Sequence, residues 1–299
     1  MFPIIPANSV AADSGNSEGI FCFSSFSNTT NLVSNAGVVA SDVSGVGTAR
    51  GYLGACEYGG DKGIIGFGYA AGWSVTSITN LVSNTGVVAS DQAATTGTAR
   101  GELTACSYGE DKGIFAYGAG SPKPLLTNLV SNAGVVSSDV ACVGTGREGP
   151  GACEYGDDKG IIGFGNVPPK VSVTNLVSNT GVVSSDVAGV GTDRAVVAGC
   201  GYGGDKGIFG FGINGGRTNV TNLVSNTGVV ASDQAAATGT GRNSLGACEY
   251  GGDKGIFGFG DTGPSVSGVT NLVSNAGVVA SDVAAVGTAR AGVAGCSFN

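Results

Sequence analysis

Apolar and polar residues alternate along this chain in short runs, and none of the runs extends beyond about seven residues. Residues 30–68 show the pattern: T-N-L-V-S, V-V-A-S-D, L-G-A-C-E-Y and K-G-I-I-G-F-G, separated by Gly, Asn, Asp and Ser. Short alternating runs with turn signals every 8–12 residues predict β-strands. The 3.6-residue apolar period of a helix is absent. The turn S-N-(T/A)-G places a glycine where a hairpin needs a left-handed residue, and G-G-D-K reads as a second turn.

The pattern recurs. N-L-V-S-N begins at Asn31, Asn80, Asn128, Asn175, Asn222 and Asn271, at intervals of 49, 48, 47, 47 and 49 residues. Each copy carries an aspartate eleven residues on (Asp42 in the first), an arginine nineteen or twenty residues on (Arg50), and a cysteine six residues after that (Cys56). A unit of four short strands and about 48 residues matches a propeller blade. The expected fold is therefore all-β: a six-bladed β-propeller with four-stranded blades. Residues 17–24, S-E-G-I-F-C-F-S, align with D-K-G-I-I-G-F-G at 61–68, so the first unit starts at its second strand. The chain finishes on A-R-A-G-V-A-G-C-S-F-N, a first strand lacking its partner. One blade shared by both ends closes the ring and leaves no open sheet edge. Residues 1–16 are read as an arm and 17–299 as one propeller domain.

Composition narrows the function. Glycine makes up 56 of 299 residues, but 41% apolar and 12% charged residues argue for a packed chain over a disordered one. A net charge of −8 disfavours a nucleic-acid partner. No run suits a membrane span, and M-F-P-I-I-P makes a poor signal peptide. Histidine is absent, which removes the commonest general base and metal ligand.

The run T-A-R-x-x-L-x-A-C-x-Y-G-G-D-K-G-I-F-G-F-G resembles the first two strands of a kelch repeat, although V-V-A-S-D stands where the fourth kelch strand usually has tryptophan. The whole unit, over residues 17–299, is similar to tandem-repeat proteins encoded by tailed phages of aquatic bacteria. That resemblance implies a propeller-type virion or host-contact protein and assigns no residue a role.

Six of the eight cysteines hold one position of the repeat, which reads as small buried side chains near a narrow axis. No C-x-x-C pair seeds a metal site. Cys22 and Cys296 meet at the seam, where a clasping disulfide is an alternative, and Cys142 falls in a connection. The repeated Asp, Arg and Lys read as ion pairs and turn hydrogen bonds holding each blade. Six equal copies of a charged set do not resemble the single asymmetric pocket of an enzyme. No catalytic residue, cofactor or metal is expected.

The copies differ in two stretches: the four residues after each arginine, and the link after F-G. An up-and-down blade puts both on one rim, against an opposite rim of near-constant turns. The variable rim holds Trp73, the only tryptophan, with Tyr52, Tyr69, Glu102, Lys123, Lys170 and Arg217. Loops on a rigid scaffold are where binding residues concentrate; the alternative is drift in tolerant loops. The expected function is a non-enzymatic structural or adhesive module in a virion or outside the cell. Its partners would be virion proteins or a host receptor or glycan, and a glycan-binding lectin is the alternative.

Overall fold

Short strands with β-branched and aromatic residues, cut by left-handed glycines, give an all-β chain. The computed structural model describes residues 17–24, 27–93, 95, 97–234, 239–284 and 286–298; the arm expected over residues 1–16 lies outside them. Six antiparallel sheets repeat one order, with a cysteine-bearing strand paired to a middle strand and the middle strand paired to an asparagine-bearing strand. In the second unit these are Gly54–Tyr58, Lys62–Gly66 and Thr79–Val82. Registers coincide from sheet to sheet: Cys56 faces Ile64 and Ile64 faces Leu81, as Cys248 faces Ile256 and Ile256 faces Leu272. The sheet with the earliest described residues, Glu18–Ser24 and Ser27–Val33, takes Ala294–Phe298 as its cysteine strand, with Ile20 opposite Cys296.

The expected fourth strand is largely replaced. V-V-A-S-D contributes isolated bridges such as Val33 to Val39, the residue after it, Val43, bridges to Thr30, and among the described residues only Val140–Ala141 forms a fourth strand. Side-chain bonds tie this segment down: Asn31 donates through Nδ2 to the Ala40 carbonyl (3.0 Å) and to Asp42 (2.9 Å), and Asn128 makes the same two bonds in the unit where Val140–Ala141 does pair.

Neighbouring sheets interlock through cysteine, glycine and phenylalanine. A Cβ on Gly113 would lie within 2.7 Å of the Cys56 sulfur, and the same holds for Gly160 and Cys106, Gly207 and Cys153, Gly255 and Cys200, Gly19 and Cys248, and Gly63 and Cys296. Each thiol thus fills the space a missing side chain leaves on the next sheet. In the other direction, the Phe115 ring covers Gly54 and Gly66. The cysteine strand Gly54–Tyr58 packs on Thr104–Tyr108, that on Gly151–Tyr155, and so on through Ala198–Tyr202 and Gly246–Tyr250 to Ala294–Phe298, which packs back on Gly54–Tyr58. Among the described residues no helix is long and apolar enough to cross a membrane.

Candidate functional site

The repeated charged residues are the obvious candidates for chemistry. Arg50, Arg100, Arg147, Arg194, Arg242 and Arg290 are buried. The Arg50 Nε donates to the Phe67 carbonyl (2.9 Å), Nη1 to the Thr48 carbonyl (3.1 Å) and Nη2 to Asn80 Oδ1 (2.6 Å). Phe67 adopts φ +63, which turns its carbonyl toward the guanidinium. Each guanidinium also lies over an aromatic ring of the preceding sheet, as Arg194 does over Phe164 at 4.0 Å and Arg290 over Phe259 at 3.9 Å. Arg147 stacks in the same way, over Tyr117 at 4.6 Å, but differs at the asparagine: its Nη2 donates to the Ile162 carbonyl at 3.3 Å, and Asn175 Oδ1 has no partner among the described residues.

The aspartates complete the network. Asp91 accepts from Asn80 Nδ2 (3.0 Å) and from the Thr48 hydroxyl (2.6 Å), tying the chain entering a sheet to the segment leaving it. Asp139, Asp186, Asp233 and Asp282 repeat the clasp, and Asp42 makes it with Thr288 across 246 residues. Burial pushes these carboxyls up, but the Thr and Asn hydrogen bonds and the nearby Arg more than offset it, so all six sit below the ordinary range. These groups bond to one another and to the backbone, and so hold the sheets together.

The cysteines are free thiols. Burial, above all, pushes Cys56 and Cys153 well up, which keeps them protonated and unreactive at neutral pH. Cys22 and Cys296 are joined by a hydrogen bond between their thiols. Cys142 is half-buried beside the cluster that includes Tyr117.

Two cavities lie along the cysteine strands. One, of about 100 Å³, is lined by residues such as Ala55, Ala105, Ala152, Ala198, Ala247 and Ala294, with Tyr52 and Glu102 at its margin. The second, of about 60 Å³, is lined by the six repeat cysteines and the residues that follow them: Glu57, Ser107, Glu154, Gly201, Glu249 and Ser297. Glutamates therefore alternate with small residues around this cavity. Burial, then repulsion from Glu249 and Glu57, raises Glu154 well above the usual carboxyl range. Burial raises Glu249 to about 7, against a hydrogen bond from the Gly201 backbone N–H. In the sequence the alternation stands at the residue between each repeat cysteine and the following aromatic, where it has the look of an ordinary outward-facing strand position.

The two variable stretches meet. Gly51 bridges Tyr69, Glu148 bridges Asn166, Ala195 bridges Ile213 and Asn243 bridges Asp261. Just inside these bridges, six equivalent residues take left-handed backbone: Tyr52, Glu102, Gly149, Val196, Ser244 and Gly292. Their amides and carbonyls link head to tail, Glu102 N–H to Tyr52 O, Gly149 N–H to Glu102 O, and Tyr52 N–H to Gly292 O, at 2.8–2.9 Å. A β-branched residue at φ +55, as at Val196, is costly, and this linkage is what holds it.

Of the expected contact residues, three come together. Trp73 lies 5.9 Å from Tyr52 and 5.6 Å from Tyr69, ring centre to ring centre, and Tyr52 and Tyr69 meet edge-on at 6.3 Å. Trp73 sits at the tip of a two-stranded ribbon, Tyr69–Ala70 with Ser74–Val75, and remains 58% exposed. Glu102 adjoins them, since the Tyr69 ring covers Gly101. Burial first, then Glu148, raises the Glu102 carboxyl, with Lys123 opposing. Lys123 itself pairs with Glu148, which also accepts from Asn166 Nδ2 (2.7 Å). The other two stand apart: Lys170 opens the strand Lys170–Val177, and Arg217 pairs with Asp261 at 2.7 Å. Neither a protein-family model nor a curated protein matches the chain.

Proposed function

We propose that the six sheets are the blades of one closed, kelch-like β-propeller, and that the molecule is a non-enzymatic structural or adhesive module of a virion or host-contact surface. Closure is supported by three independent sets of contacts that carry through the chain ends: the cysteine strand order that returns on itself, the Cys248–Gly19 and Cys296–Gly63 packing, and the Asp42–Thr288 clasp.

The contact role rests on one observation. The repeated charged groups are engaged in the scaffold, whereas Trp73 stands 58% exposed on two tyrosines at the rim where the copies differ. Large aromatics dominate protein interfaces because they bury area at small entropic cost. The partner is a virion protein or a host surface receptor or glycan. Trp73→Ala should weaken attachment to host cells or particles by about 2 kcal/mol and leave the melting temperature nearly unchanged. Lys206→Glu, on the constant rim, should leave attachment alone. A Trp73→Ala protein that melts lower yet attaches normally would mean that Trp73 only packs on its own blade.

A further inference from the structure

We infer that the Tyr52–Tyr69–Trp73 platform and the Glu102 carboxylate form a binding site for a neutral hexopyranose, an inference that rests on the contact role proposed for this rim. The three rings of the platform pack on one another without any ligand. Tyr69 meets Trp73 edge-on at 66°, Tyr52 leans on it at 35°, and the Ser74 hydroxyl donates to the Ala71 carbonyl (3.0 Å) to close the turn beneath it. Trp73 is held at φ +60 after Gly72 at φ +71, a conformation in which a bulky residue is a genuine outlier. Ordering costs that a mobile loop would incur on binding are thus already met.

The polar side of the site is an acceptor. Glu148 is occupied by Lys123 and Asn166, while Glu102 makes no ion pair among the described residues. Its backbone N–H, bonded to the Tyr52 carbonyl at 2.8 Å, fixes it next to the platform. An exposed indole on Tyr69, whose ring in turn covers the residue before Glu102, matches a sugar ring whose axial C–H groups stack on the aromatic face while its hydroxyls reach for the acid. An ammonium group fits less well, because the three rings touch one another and leave no hollow to enclose it. Acidic sugars are disfavoured by Glu102, Glu148 and the net charge of −8.

Trp73 is the only tryptophan, so its fluorescence reports this site alone. Titration with cellotetraose, chitotetraose and mannotetraose should give a saturable change for at least one of them, and polygalacturonate should give none. By calorimetry, Trp73→Ala should weaken that binding at least about tenfold and Glu102→Gln about fivefold, with Lys170→Ala unchanged and all three variants melting like the parent. Flat titrations with all three neutral oligosaccharides up to about 20 mM overturn the sugar site. In that event, attachment that still depends on Trp73 leaves the contact reading standing with a protein partner, whereas attachment indifferent to Trp73→Ala removes both.

Discussion

Replacing Glu249 by Gln tests whether the cavity at the cysteine strands governs how stability depends on pH. Glu249 lies over Gly201, where even a Cβ would overlap its carboxylate, and accepts the Gly201 N–H. Protein surrounds it apart from the cavity it faces, and burial raises it to about 7 from an ordinary 4.5. Between those two values the folded protein holds a proton that the unfolded chain has released. Unfolding then takes up no proton but gives one off, so stability falls as pH rises through this window. At 1.36 kcal/mol per pH unit, the loss from Glu249 alone is about 3 kcal/mol. Glu154 is shifted the same way and adds to the slope.

The clasp aspartates act in the opposite sense and in a different range. Their folded values are lowered, so the stability they contribute is present above about 3.9 and is lost as pH falls through those lowered values. The two effects therefore separate. Urea unfolding followed from pH 4.5 to 8 should show the parent losing stability across that interval. Glu249→Gln keeps an acceptor for the Gly201 N–H and has no proton to lose. It should match the parent near pH 4.5, exceed it by about 3 kcal/mol at pH 7 and above, and show a shallower slope. A parent whose stability is flat or rises between pH 5 and 7 would refute the reasoning, as would an unchanged slope in Glu249→Gln.

Asp42→Ala and Asp139→Ala should each cost about 1.5–3 kcal/mol in chemical denaturation, the worth of hydrogen bonds to a charged group; a closed ring makes the two losses alike, and a near-zero loss for Asp42→Ala alone would show that the chain ends are not joined. Deleting residues 291–299 should cause aggregation or a large drop in melting temperature by exposing a sheet edge, and an unaltered melt would count against closure. Cys153→Ala should cost about 1 kcal/mol, and thiol titration of the denatured protein without reductant should find at least six free thiols; two or fewer would overturn the packing assigned to the cysteines.

What could be read from the sequence depended on whether a residue acts through the chain pattern or through a partner brought in from elsewhere. The strand positions of Cys56, Ile64 and Asn80 followed from spacing alone, because six aligned copies fix the same register each time. The fourth strand did not, since V-V-A-S-D has the alternation of a strand but pairs with its neighbour mainly through single bridges such as Val33 to Val39. Arginine and aspartate were legible as scaffold but not as the particular scaffold they form. The expected ion pair is there, with Arg50 and Asp91 3.8 Å apart, but the shorter bonds run from Arg50 to backbone carbonyls and Asn80 Oδ1 and to Asp91 from Asn80 and Thr48. At the rim, Trp73 was visible by being unique, but its two tyrosines lie 21 and 4 residues away, and only the ribbon from Tyr69 to Val75 makes them neighbours. The alternating glutamates show the same limit from the other side. Glu57, Glu154 and Glu249 are plain in the text of the repeat, yet each looks like a strand residue facing solvent until the six cysteine strands are placed around one cavity. A charge acquires its meaning there from what converges on it, and convergence is a property of the fold.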